Sequence, residues 1–201
     1  MQKRERFLDK EAFDWAVTFR MNEAIPRTQK AIADPDVHPA DRAQYKYDLA
    51  HDSLSHWVLL YSGGTQIGKL RDDLPPVLTA FDHFLWDEHA DLVYVDLAIQ
   101  DYYVEALWLL SLTKLLGFDN EIQRVAGFYL LDETNSGSDE LFEALLAKLG
   151  LPSSEAEGLI HEEYQHLLDA IKAEPNDRPA HMQAFLKDWY KGMQDCGWWG
   201  S

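Results

Sequence analysis

Two short segments carry polar residues at spacings that chemistry uses. Gly63-Gly64-Thr65-Gln66-Ile67-Gly68-Lys69-Leu70 comes within one residue of a phosphate-binding loop, whose backbone amides cradle phosphates and whose closing Ser or Thr hydroxyl holds magnesium. Here the closing position is Leu70. Such a loop should also follow a buried strand, whereas this one follows a helical pattern. The second segment is His161-Glu162-Glu163-Tyr164-Gln165-His166. Imidazoles five residues apart on a helix diverge by about 140°, so they cannot share a zinc ion. Glu163 and His166 keep the Glu-x-x-His spacing of di-iron bundles, which need a second such motif and two further glutamates. The nearest substitute is Asp48 with His51, and His51/His56 and His83/His89 fail the same-face test. No Gly-x-Ser-x-Gly elbow occurs, and Cys196 is the single cysteine. No catalytic residue, metal ligand set or cofactor is therefore assigned. A metal-dependent helical-bundle enzyme built on Glu163 and His166 stands as the alternative reading.

The elements that must position these residues are helices, because helical periodicity dominates and sustained strand-like alternation is missing. The fold class is all-α, a stack of roughly seven to eight helices. The pattern predicts a first amphipathic segment over 9–33 with a kink at Pro26, and a second from Pro39 towards Tyr61, stopped at Ser62-Gly63-Gly64. A third covers 67–88 and is either broken at Pro75-Pro76 or begins after Asp73. The most apolar stretch, 92–118, places Leu97, Val104, Trp108, Leu109, Leu112 and Leu115 in a central core helix closed by Gly117. Further helices are expected over 120–131, 138–149, 154–173 and 178–196. A chain of 201 residues buries roughly 70% of its unfolded surface, enough to fold without disulfides or metals. A lone cysteine suits a reducing compartment, and no run of 18 or more apolar residues occurs. A cytoplasmic protein is expected.

The charge distribution says more than the motifs. The formal net charge is −17, yet residues 1–36 hold seven acids and seven bases, so the whole excess falls on the remainder. Between Asp72 and Thr113 there is no Lys or Arg, while Asp72, Asp73, Asp82, Asp87, Glu88, Asp91, Asp96, Asp101 and Glu105 are all acidic. Such a surface repels nucleic-acid phosphates and steers a basic protein partner inwards. Direct DNA or RNA binding is excluded as a function class, and no membrane contact is expected. The like-charge pair Asp101/Glu105 at i,i+4 costs a few tenths of a kcal/mol in a helix, so local stability does not favour it. These nine residues are the expected partner-binding patch. The aromatic run Trp189-Tyr190-Lys191-Gly192-Met193 with Trp198-Trp199 reads as core packing, with an interface anchor as the alternative.

Four stretches resemble the bacterial polymorphic-nuclease immunity proteins, the PoNi family. They are Tyr61-Ser62-Gly63-Gly64, Leu70-Arg71-Asp72-Asp73-Leu74-Pro75, Leu115-Leu116-Gly117-Phe118-Asp119, and Trp189-Tyr190-Lys191-Gly192-Met193 with Trp198. The first two resemble the family's N-terminal region and the last two its C-terminal region, here 1–118 and 119–201, packed as one unit. Family members continue past the last segment into a further aromatic and acidic stretch, whereas this sequence stops at Ser201, so a shortened tail is implied. The resemblance implies an all-α protein without catalytic activity. Its partner would be a cognate DNase toxin, an effector of a polymorphic or type VI secretion system, neutralised in the cytoplasm; beside it and the metal-enzyme reading stands a third, an acidic scaffold with a non-nuclease partner.

Overall fold

Proline lacks an amide hydrogen and its ring clashes with the carbonyl four residues back, so Pro26 should disturb the first helix. In the computed structural model, which describes residues 10–89, 93, 95–130 and 133–192, it does so through a π turn. Helix α1 (Lys10–Phe19) passes through a π-helical turn, Arg20–Ala24, into α2 (Ile25–Ala33) without a break. The widened turn closes with the Ile25 N–H donating to the Arg20 carbonyl, immediately before the proline. It also sets Arg20 to donate to Asp52 of the next helix at 2.8 Å. The chain divides into two compact units at the Tyr94–Val95 junction.

The N-terminal unit is completed by α3 (Pro39–Ser62) and α4 (Ile67–Leu85), which pack against each other. His38 caps α3, its ring nitrogen accepting from the Ala40 N–H, and Pro39 takes the first helical position, where no amide is needed. Its core is built from Tyr47, Ala50, Leu54 and Trp57 on α3 and from Leu70, Leu74, Val77, Leu78, Phe81 and Phe84 on α4. Tyr47 meets Phe84 edge to face at 5.4 Å. The buried Trp57 indole N–H donates to the Leu70 carbonyl at 2.7 Å. Helix α4 runs straight through Pro75-Pro76, which corrects the expected break. Both prolines are exposed, while Leu74, Val77 and Leu78 keep the buried face continuous. Burial of that face outweighs the cost of the prolines.

The C-terminal unit contains α5 (Gln100–Leu115), α6 (Ile122–Tyr129), α7 (Glu140–Lys148), α8 (Gln165–Lys172) and α9 (Arg178–Gly192). Two expectations fail here for one reason: buried polar side chains hold the backbone in irregular forms. The core helix begins at Gln100, well after residue 92, because Asn135 grips the preceding segment. Its amide donates to the Val95 and Tyr129 carbonyls, both at 2.7 Å, and its oxygen accepts from the Leu97 N–H at 3.0 Å. Likewise 154–161 is not helical: Glu143 accepts from the Ser154 N–H at 2.6 Å and Asp139 from the Ile160 N–H at 2.8 Å. Gly117, at φ 78°, closes α5 as expected, with the Phe118 N–H returning to the Thr113 carbonyl. Leu97, Leu109 and Leu110 are buried, but Trp108 and Leu115 are exposed, contrary to their expected core role. The described residues contain no strand, so the fold class is all-α. Among the described residues no helix is long and apolar enough to cross a membrane.

Candidate functional site

In the N-terminal unit the acidic residues occupy the two ends of α4. Asp72 is exposed and Asp73 half-buried near its start. Asp82, Asp87 and Glu88 lie at or just beyond its end, nine to sixteen residues further on. At 1.5 Å per residue even Asp82 is roughly 13 Å or more along the axis from Asp73, so the five do not form one cluster. Glu88 is exposed. Asp87 is largely covered, its Oδ2 accepting from Lys46 Nζ at 2.5 Å and its Oδ1 from the His89 N–H at 2.9 Å. Burial acts to raise its pKa, but the lysine and the backbone amide outweigh that and hold it below the ordinary carboxylate value. A stretch without bases in sequence is thus not without them in space.

Trp86 caps α4 between these acids and is 80% exposed. It forms one wall of an open cleft of about 350 Å³, lined also by Ile32, Lys46, Leu49, Ala80, Asp82 and His83. A large apolar ring standing in water beside an apolar hollow and a rim of carboxylates has the composition of an interaction anchor. Its signal was present in Phe84-Leu85-Trp86-Asp87-Glu88, where the helical apolar stripe ends on a tryptophan one residue past Leu85. Near the other end of the unit, burial and then the Arg20 charge lower the His56 pKa, offset in part by Asp73.

The remaining candidates belong to the C-terminal unit, except Asp91, which lies outside the described residues. Asp96 is half-buried and accepts from the Ala98 N–H at 2.7 Å, shaping the turn that leads into α5. Asp101 is exposed in the first turn of α5. Glu105 must be withdrawn from the patch: it is 2% exposed and accepts from the Tyr129 hydroxyl at 3.1 Å. The i,i+4 relation to Asp101 that suggested a shared surface spans the boundary between solvent and core.

The histidine-bearing segment is likewise rearranged. His161 precedes a 3-10 turn, Glu162–Tyr164, and its Nε2 donates to the Leu97 carbonyl at 2.9 Å. Glu163 accepts from Gln100 at 2.9 Å and does not join His166. His166 instead meets Asp169 and His181, with one ligating atom from each within 4.8 Å of the others. The Glu-x-x-His pair therefore does not assemble. The Gly63-Gly64 segment joins α3 to α4 with no strand before it, and Gly68 and Lys69 lie in the first turn of α4. Gly63 packs so tightly that an added Cβ would lie 2.4 Å from the Phe13 ring. In the aromatic run, Trp189 packs at a tilt against Tyr164 and Phe185 at 5.9 and 5.7 Å, while Met193, Cys196, Trp198 and Trp199 lie outside the described residues.

No curated protein and no solved structure matches the chain. Two family models do: PoNe immunity protein (PoNi), N-terminal, over residues 4–127, and PoNe immunity proteins (PoNi), C-terminal, over residues 137–201. Together they span nearly the whole sequence; Leu115-Leu116-Gly117-Phe118-Asp119, likened above to the C-terminal region, falls within the N-terminal match, and the chain belongs to the PoNi immunity protein family.

Proposed function

We propose that this protein binds a cognate DNase toxin in the cytoplasm and neutralises it, with the end of α4 as the principal contact. The observation that carries this reading is Trp86, 80% exposed beside a largely apolar cleft, with the exposed Glu88 two residues on. A nuclease presents basic side chains to DNA, and an exposed aromatic ring with a free carboxylate beside it suits such a surface in charge and in hot-spot composition. Asp72 and Asp73 in the N-terminal unit, and Asp96 and Asp101 in the C-terminal unit, add to the negative charge of the chain and contribute mainly to the rate of encounter. Family membership supplies the class of partner, a toxin.

Co-expression with a candidate nuclease toxin, sought among the products of neighbouring genes, tests the proposal. Growth of a susceptible host should be restored and a stable complex recovered. A host that dies despite full expression of the folded protein contradicts the reading.

A further inference from the structure

We infer that His166, Asp169 and His181 form a zinc-binding site that fastens α9 to α8, independently of the toxin reading. His166 and Asp169 project from α8 one helical turn apart, and His181 faces them from α9. His166 Nδ1 lies 3.8 Å and His181 Nδ1 3.9 Å from the same oxygen, Oδ2 of Asp169. A tetrahedral zinc ion about 2.0 Å from each donor needs donors about 3.3 Å apart. A contraction of about half an ångström on each of those two pairs, within reach of side-chain torsions, brings them to that spacing.

The surroundings orient the donors. His166 Nε2 faces Asp188 Oδ2 at 3.2 Å, and a nitrogen directed at a carboxylate must carry the proton. In the neutral ring this leaves Nδ1 with the lone pair, and that atom is enclosed with no hydrogen-bond partner. A lone pair turned towards the Asp169 carboxylate is repulsive unless a cation lies between them. Gln165 donates to Asp169 Oδ1 at 2.8 Å, which orients the carboxylate and leaves Oδ2 to the site. A carboxylate behind a ligating histidine and an amide behind a ligating carboxylate are the outer-shell partners that fix metal ligands.

Two nitrogens and one carboxylate oxygen suit zinc and poorly suit magnesium or calcium, which prefer oxygen. The three side chains are each about one-third exposed (35%, 35% and 36%), so water completes the coordination. Helix α9 has no fully buried residue of its own and rests on α8 and on the Tyr164–Phe185–Trp189 aromatic contacts. A metal shared between α8 and α9 would stiffen that docking.

The test is calorimetric titration of the full chain, stripped of metal by a chelator, with zinc chloride, alongside His181→Ala, His181→Gln and Asp169→Asn. Wild type should take up one equivalent of zinc, with a raised melting temperature, and each variant should bind about tenfold or more weakly while keeping its helical circular dichroism. Asp188→Asn should weaken binding by a smaller factor. Absence of zinc uptake, or unchanged affinity in the folded His181 variants, overturns the inference and leaves His166 as a hydrogen-bonding partner of Asp188 alone.

Discussion

Lys46 Nζ and Asp87 Oδ2 lie 2.5 Å apart, joining the middle of α3 to the residue just beyond α4. The pair is only partly open to solvent, at 25% and 10% side-chain exposure, so it is less screened than a surface bridge. It holds the chain where Trp86 leaves the helix and so sets the platform on which that ring stands.

Because Asp87 has its pKa held below the unfolded value, its contribution is fully present above about pH 4 and is lost as pH falls through the lower folded value. Asp87→Asn should therefore lower the urea midpoint at pH 7 and have a smaller effect near pH 3. Equal destabilisation at both pH values would show that the ion pair contributes nothing.

Asp139 is fully buried and accepts from the Tyr103 hydroxyl, the Phe142 N–H and the Ile160 N–H at 2.8, 2.7 and 2.8 Å. Asp139→Ala strands two buried donors and one half-buried donor and should cost about 3 to 5 kcal/mol, against about 1 to 2 kcal/mol for Tyr103→Phe. Chemical denaturation measures both. Burial raises the Tyr103 phenol, as the neighbouring Asp139 also does, and burial pushes Tyr164 up to about 12. Folded-state values above the unfolded one, about 10, mean that stability is full below pH 10 and falls as pH rises beyond it. Tyr103→Phe should flatten that alkaline loss.

Gly64 sits at φ 91°, a conformation that costs a residue with a Cβ roughly 1 to 2 kcal/mol. Gly64→Ala should lower thermal stability by that amount. If the Gly63-Gly64 segment were instead a phosphate loop, added nucleotide would raise the melting temperature of the wild type and not of this variant. The account predicts no shift in either.

The helical class, the stop after Ser62 and the glycine closure at Gly117 were legible because local pattern and tertiary packing agree there. Pro75-Pro76 misled because both prolines lie on the exposed side of a helix whose buried face continues past them. The start of α5 and the irregular run 154–161 were not legible: Asn135, Asp139 and Glu143 take hold of backbone amides 11 to 38 residues away in sequence. For the acidic patch, counting charges found the residues but not their depth. Glu105 turns inward to Tyr129, and Asp87 is met by Lys46, which lies 41 residues earlier in the chain. His181 was passed over because its partners are on another helix.

The most direct test of the toxin-binding surface is the affinity of the purified complex with the cognate nuclease for wild type, Trp86→Ala and Glu88→Lys, at low and high salt. Both positions are exposed, so the variants should keep the stability of the wild type. The account predicts that Trp86→Ala weakens binding by about 2 kcal/mol or more, roughly thirtyfold, through faster dissociation. Glu88→Lys should chiefly slow association, and the difference should shrink as salt rises. A folded Trp86→Ala variant that binds the nuclease with wild-type affinity would contradict the account.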